Sequence, residues 1–225
     1  MSEKVLALSP SSLNVFLACP RCFWADKNEK KPRVRGIFPS LPSGIDGILK
    51  TYYDNHRAAG TMPPEIEGRL PGMLFPDPVL MKKRRNWRGT DMTYTCPDTG
   101  AFLRGAIDEM LIDGDTHIIA DYKTKGGPLK EADILGTYYQ NQMDCYTLMG
   151  IGGGLKMAES AYLIYYYPLT SFDNGAIQFT VEPVELSVDP ESARQTVRDA
   201  VACLAGEKPE AADKCEYCGR YGDAV

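Results

Sequence analysis

The spacing of apolar positions along the chain predicts a mixture of helices and strands. Ser9-Pro10 reads as an N-cap followed by proline at the first helical position, and Leu13, Phe16 and Leu17 then form a short apolar face. A helix is therefore expected to about Cys19-Pro20. Residues 26–42 are rich in Lys, Arg and Pro without a period and read as a basic connecting segment. Ile45, Ile48, Leu49 and Tyr52 fall at helical spacing and predict a second helix from Ser43. Pro63 to Pro78, broken by five prolines, reads as loop. Residues 79–125 read as a strand meander, turning at Pro97-Asp98-Thr99-Gly100 and at Asp113-Gly114-Asp115-Thr116. A helix over about 130–149, strands over Ala161–Pro168 and Ile177–Val188, and a helix from Pro190 to about Ala205 follow.

At 225 residues and 44% hydrophobic content, the chain can bury a substantial core. It has no apolar run near the length of a membrane span, and Met1-Ser2-Glu3-Lys4 does not read as a signal peptide, so a cytoplasmic protein without membrane contact is expected. The net charge of −5 does not by itself indicate a polyanion binder. A local patch changes that picture. Lys82, Lys83, Arg84, Arg85 and Arg88 enclose Trp87, a pattern that suits phosphate tracking with a base stacked on the indole, and equally suits a solvated segment around a core tryptophan.

Gly-Ala-Ile-Asp at 105–108 and Asp-Tyr-Lys at 121–123 fall on adjacent strands of one predicted hairpin. With a two-residue Gly114-Asp115 loop, residues whose numbers sum to 229 face each other, which sets Asp108 opposite Asp121; an Asp113-Gly114 loop makes them diagonal neighbours. A three-residue loop would put them on opposite faces. Lys123 shares a face with Asp121, and Tyr122 points away. Two such carboxylates can share a hard divalent cation, Mg2+ or Mn2+, to which the Tyr122 carbonyl can add a ligand. The cation would activate water and offset charge on a phosphate, with Lys123 orienting that water or steadying the transition state. An isolated Asp-x-Lys would more simply be a surface ion pair, but Asp121 ends the apolar run Ile118-Ile119-Ala120.

Cys19-Pro-Arg-Cys22 and Cys215-Glu-Tyr-Cys218 are C-x-x-C knuckles, a spacing suited to tetrahedral thiolate coordination. Cys96, Cys145 and Cys203 stand alone and read as packing residues.

In this order, the segments 8–24, 105–108, 120–124, 140–146 and 215–218 resemble the RecB-like nucleases of the PD-(D/E)XK superfamily. That group includes CRISPR-associated exonucleases and the nuclease domains of helicase-nucleases. The resemblance implies that Asp108 and Asp121 are metal ligands, that Lys123 is catalytic, and that Gln142 and Tyr146, one helical turn apart, serve the active centre or hold DNA. Many relatives carry a histidine in the helix after the first motif; here Asp46 stands near that place, as a third oxygen ligand or as part of a capping box begun by Ser43. His56 and His117 match no motif. The resemblance also implies an iron–sulfur cluster at the cysteines, although relatives commonly use one cysteine at the start and three at the end. The two-and-two arrangement here leaves Zn2+ open.

The expected fold is α/β, with a restriction-endonuclease-like core, a central mixed sheet flanked by helices, and the chain's ends joined at the cysteine site. One nuclease domain over 1–225 is expected. The expected function is metal-dependent hydrolysis of DNA, single- or double-stranded, with a helicase, recombination or CRISPR-type partner unspecified. A catalytically silent DNA-binding or scaffold module and a zinc-stabilised interaction domain are the alternatives.

Overall fold

A five-stranded mixed sheet with helices on both faces organises the protein. The computed structural model describes residues 5–221 apart from 35, 37, 90 and 131–136. The elements run β1 (Ala7–Leu8), α1 (Pro10–Ala18), α2 (Pro20–Trp24), a π-helical turn (Ala25–Glu29), α3 (Ser40–Ala59), β2 (Met73–Leu74), α4 (Pro78–Arg84), β3 (Thr93–Thr95) and β4 (Phe102–Arg104). They continue with β5 (Glu109–Asp113), β6 (Thr116–Thr124), α5 (Thr137–Gly152), β7 (Ser160–Ser171), β8 (Ile177–Ser187), α6 (Pro190–Ala205) and α7 (Glu216–Tyr221). The central sheet has the order β2-β5-β6-β7-β8, and β1, β4 and β3 form a smaller sheet.

Strand β6 pairs antiparallel with β5 and parallel with β7, so the chain must cross over between β6 and β7; α5 makes that crossover. Of the helix expected over 130–149, residues 131–136 lie outside the described residues. One face of the sheet carries Leu111, Ile118, Tyr122, Ile164 and Tyr166 against Leu49 and Tyr53 of α3. The other carries Met110, Ile119, Leu163 and Tyr165 against residues of α1, α5 and α6. This alternation follows from the pleat.

Three local expectations need correction. Residues 78–84 are helical, because Asp77 caps the helix through Oδ1, accepting from the Leu80 N–H at 2.9 Å, and Pro78 occupies a first-turn position. Residues 20–29 are helical too, ending where Lys30 adopts a left-handed conformation with φ 62°. Helix α3 begins at Ser40 instead of Ser43. Ser43 is thus inside the helix, its N–H donating to the Pro39 carbonyl at 3.1 Å, and the capping box does not form.

The β5–β6 turn is a two-residue loop. Asp113 pairs with Thr116 and Glu109 with Ala120, the 229 register, and Gly114 takes φ 60° at the place where a type II′ turn favours glycine. Just beyond Asp108, this register sends Glu109 to the α3 face. Glu109 is fully buried there and accepts Arg57 Nη2 at 2.6 and 2.7 Å, Arg85 Nη2 at 3.0 Å and the Tyr122 hydroxyl at 2.8 Å. Arg57 also donates to the Phe75 carbonyl.

Removing one partner of a buried pair strands the other charge without solvent. Arg57→Ala is therefore expected to destabilise the fold by about 3–5 kcal/mol, measured by urea denaturation. A change below about 1 kcal/mol would mean that water or Arg85 replaces Arg57 without loss.

Candidate active site and cysteine centre

The β5–β6 register brings three of the sequence-predicted groups to one end of the sheet. Asp121 is buried on β6, Asp108 precedes β5 on the same face, and Lys123 forms an ion pair with Asp121 Oδ2. Helix α5 supplies the next residues. Gln142 Oε1 accepts from Lys123 Nζ at 3.2 Å, while its Nε2 donates to Asp121 Oδ1 at 3.4 Å and to the Tyr146 hydroxyl oxygen at 2.9 Å. The spacing of four residues between Gln142 and Tyr146 makes this contact, since both project from one side of the helix. Lys123 also lies 4.5 Å from the centre of the Tyr139 ring. Tyr122 turns its side chain to the opposite face and bonds Glu109.

Burial, reinforced by the Asp108 carboxylate and only partly offset by Lys123, raises the pKa of Asp121 to about 7. Two carboxylates that resist joint ionisation in this way fit a divalent cation, whose charge would remove the repulsion.

Asp46 approaches the pair from α3 through an intermediary absent from the sequence-based site. Lys50 Nζ lies 2.7 Å from Asp46 Oδ2 and 2.9 Å from Asp108 Oδ1. Burial opposes the charge on Lys50, but Asp108 and Asp46 outweigh it and raise the ammonium's pKa. The sequence signal for this residue was its i+4 spacing from Asp46.

The basic run separates into two groups. Lys82, Lys83 and Arg88 are exposed, but Arg84 is buried against Asp91 at 2.8 Å, so it is not a surface cation. Arg85 turns inward, its Nε donating to the Asp108 carbonyl at 2.8 Å and its Nη1 to the Asp54 carboxylate at 2.8 and 2.9 Å. It thereby fixes the backbone at Asp108. Trp87 is half exposed, and the guanidinium groups of Arg88 and Arg104 lie over its ring at 4.7 and 4.8 Å. His56 and His117 bond Thr61 and the Lys156 carbonyl, away from this site.

Cys19, Cys22, Cys215 and Cys218 converge from opposite ends of the chain, with all four sulfurs within 4.8 Å of one another. Cys22 Sγ lies 3.5 Å from both Cys215 and Cys218, and Cys19 lies 3.8 Å from Cys218. Thiolates 2.3 Å from one zinc ion would be separated by about 3.8 Å along the edge of a tetrahedron. The spacing fits one ion, and the site can hold a metal. A cluster instead attaches its thiolates to different iron atoms and spreads them further. Arg33, missed in the sequence, places its guanidinium 4.6 Å from the Tyr217 ring centre with Nη2 3.9 Å from Cys215 Sγ. Its positive charge would partly offset the negative charge of thiolates holding a metal there.

The model of the PD-(D/E)XK nuclease superfamily matches residues 7–220. The chain belongs to this superfamily. Its members are in general nucleases, so a nuclease acting on nucleic acid is the coarse functional reading. The solved structure of SSO0001 is 11% identical, with a TM-score of 0.47 over 97% of this chain and 85% of that one, a likeness too distant to inform the site. No curated protein matches significantly. Among the described residues, no helix is long and apolar enough to cross a membrane.

A metal shared by residues so far apart in sequence restrains nearly the whole chain. Chelation or Cys215→Ser is expected to lower the melting temperature by several degrees or more, with Cys203→Ser melting like the unaltered protein. Equal melting of all three would show that the knuckles hold no common metal.

Proposed function

We propose that the protein is a divalent-metal-dependent DNA nuclease of the RecB-like branch, hydrolysing phosphodiester bonds at Asp108, Asp121 and Lys123. The observation that carries this reading is the meeting of the two carboxylates, one of them buried with a raised pKa, with Lys123 and Gln142 at one end of the sheet. When bound there, Mg2+ or Mn2+ supplies Lewis-acid stabilisation of the phosphate and lowers the pKa of the attacking water. Asp108, Asp121 and the Tyr122 carbonyl are the proposed ligands. Lys123 holds the water or steadies charge growing on the phosphate, while Gln142 fixes Lys123 against Asp121 and Tyr146 fixes Gln142.

Asp46 joins as a third oxygen ligand only when Lys50 swings away from it; otherwise it remains the counter-charge of Lys50. Lys82, Lys83 and Arg88 are the proposed phosphate contacts at the surface. Arg84 and Arg85 are left out of that role by their internal carboxylate partners. At the cysteines, sulfur spacing favours a single zinc ion over an iron–sulfur cluster.

Labelled single- and double-stranded DNA incubated with the purified protein should be cut only with Mg2+ or Mn2+. Asp108→Ala, Asp121→Ala and Lys123→Ala should each lower the rate by at least about 100-fold. Undiminished cleavage by any one of these folded variants would remove that residue from the mechanism. Metal-independent binding without cleavage by the unaltered protein would favour the silent DNA-binding module.

A further inference from the structure

A cavity of about 410 Å3 adjoins the carboxylate site, with Ser9, Ser11, Trp87, Arg104, Gly105 and Tyr146 among its walls. Tyr146 is the shared partition, since its hydroxyl accepts from the Gln142 amide that also donates to Asp121. Gly105 makes the partition possible. A Cβ there would come within 3.2 Å of both Pro10 Cδ and Tyr146 Cε1, so those side chains would have to give by a few tenths of an ångström at the cavity wall.

Arg104 ends β4 at this wall, half-buried, with its guanidinium over Trp87. Arg57, Arg84, Arg85 and Arg198 each pair with a carboxylate. Among the described residues, neither Arg104 nor Arg88 has such a partner, although the chain carries an excess of acidic residues. A partly desolvated guanidinium without a counter-charge gains most from an external anion, and its planar fork suits phosphate oxygens. The start of α1 adds the Ser11 hydroxyl and the positive end of the helix dipole, while the Ser9 hydroxyl caps the helix by accepting from the Ser12 N–H at 3.2 Å. Trp87 carries the two arginines and so sets their direction.

We propose that this cavity is a subsite for a nucleotide next to the scissile phosphate, with Arg104 gripping that neighbour's backbone phosphate. The location rests on the phosphodiesterase reading, because the cavity is adjacent to the proposed reacting centre. The subsite's chemistry does not. It requires only a phosphate-bearing nucleotide, recognised by charge and shape.

Two measurements separate these claims. First, a deoxynucleoside monophosphate titrated without divalent metal should change tryptophan fluorescence saturably in the unaltered protein. Arg104→Gln should weaken that binding about tenfold or more, Arg104→Lys should retain part of it, and Trp87→Phe should remove most of the signal. Secondly, oligonucleotides carrying one uncharged methylphosphonate at a time should lose cleavage at one position beside the cut. In Arg104→Gln, cleavage of the all-phosphate strand should already be slow, with no further loss at that position. Equal monophosphate affinity in the unaltered protein and folded Arg104→Gln, or an undiminished position effect in that variant, would overturn the subsite. Arg104-dependent monophosphate binding without any DNA cleavage would retain the subsite and overturn the nuclease reading.

Discussion

The buried carboxylate of Glu109 is the constraint on which the candidate active site depends. Asp108 and Glu109 are consecutive: Glu109 opens β5 and turns into the α3 core, whereas Asp108, just before the strand, faces Asp121. Glu109 is tolerated in the core because two guanidinium groups and the Tyr122 hydroxyl meet its oxygens. Those bonds fix the start of β5, and Arg85 extends the restraint by holding the Asp108 carbonyl. Asp108 is therefore presented to Asp121 by a rigid backbone while its own side chain stays accessible to Lys50 and solvent.

A second restraint comes from the chain's ends. The cysteine knuckles join α2 to the segment leading into α7, and α1 precedes that junction directly. Within α1, Asn14 accepts from Asn141 Nδ2 of α5 at 2.6 Å in the core. The helix carrying Gln142 and Tyr146 is thus tied to the one whose end abuts the cysteine site. The two sites are connected through packing and hydrogen bonding between α1 and α5.

Much of this arrangement was legible in local sequence. The hairpin was legible at Asp113-Gly114-Asp115-Thr116, with its register left open between sums of 229 and 227 until the pairing of Asp113 with Thr116 decided it, and the meeting of the cysteines followed from two C-x-x-C spacings. What escaped was set by long-range pairing. Arg57 and Glu109 lie 52 positions apart, and nothing local marks them as partners. Arg84 and Arg85 read as surface cations because a charge run carries no sign of which members find internal carboxylates. The helix over Pro78–Arg84 stands where a strand is expected from residue 79; Asp77-Pro78 is an N-cap followed by proline, but the segment is short and strand-forming residues follow it. Arg104 has no motif around it; its significance appears only with Trp87 and the cavity.

The central claim is that Asp108 and Asp121 share a divalent cation, and Mn2+ titration followed by electron paramagnetic resonance tests it directly. Protons compete for Asp121, whose pKa is raised to about 7, so tight binding should occur at pH 8 and weaken as pH falls below 7. Asp108→Asn and Asp121→Asn should each lose that site while Cys203→Ser keeps it. Mn2+ binding of equal strength at pH 8 in the unaltered protein and both asparagine variants would contradict the account.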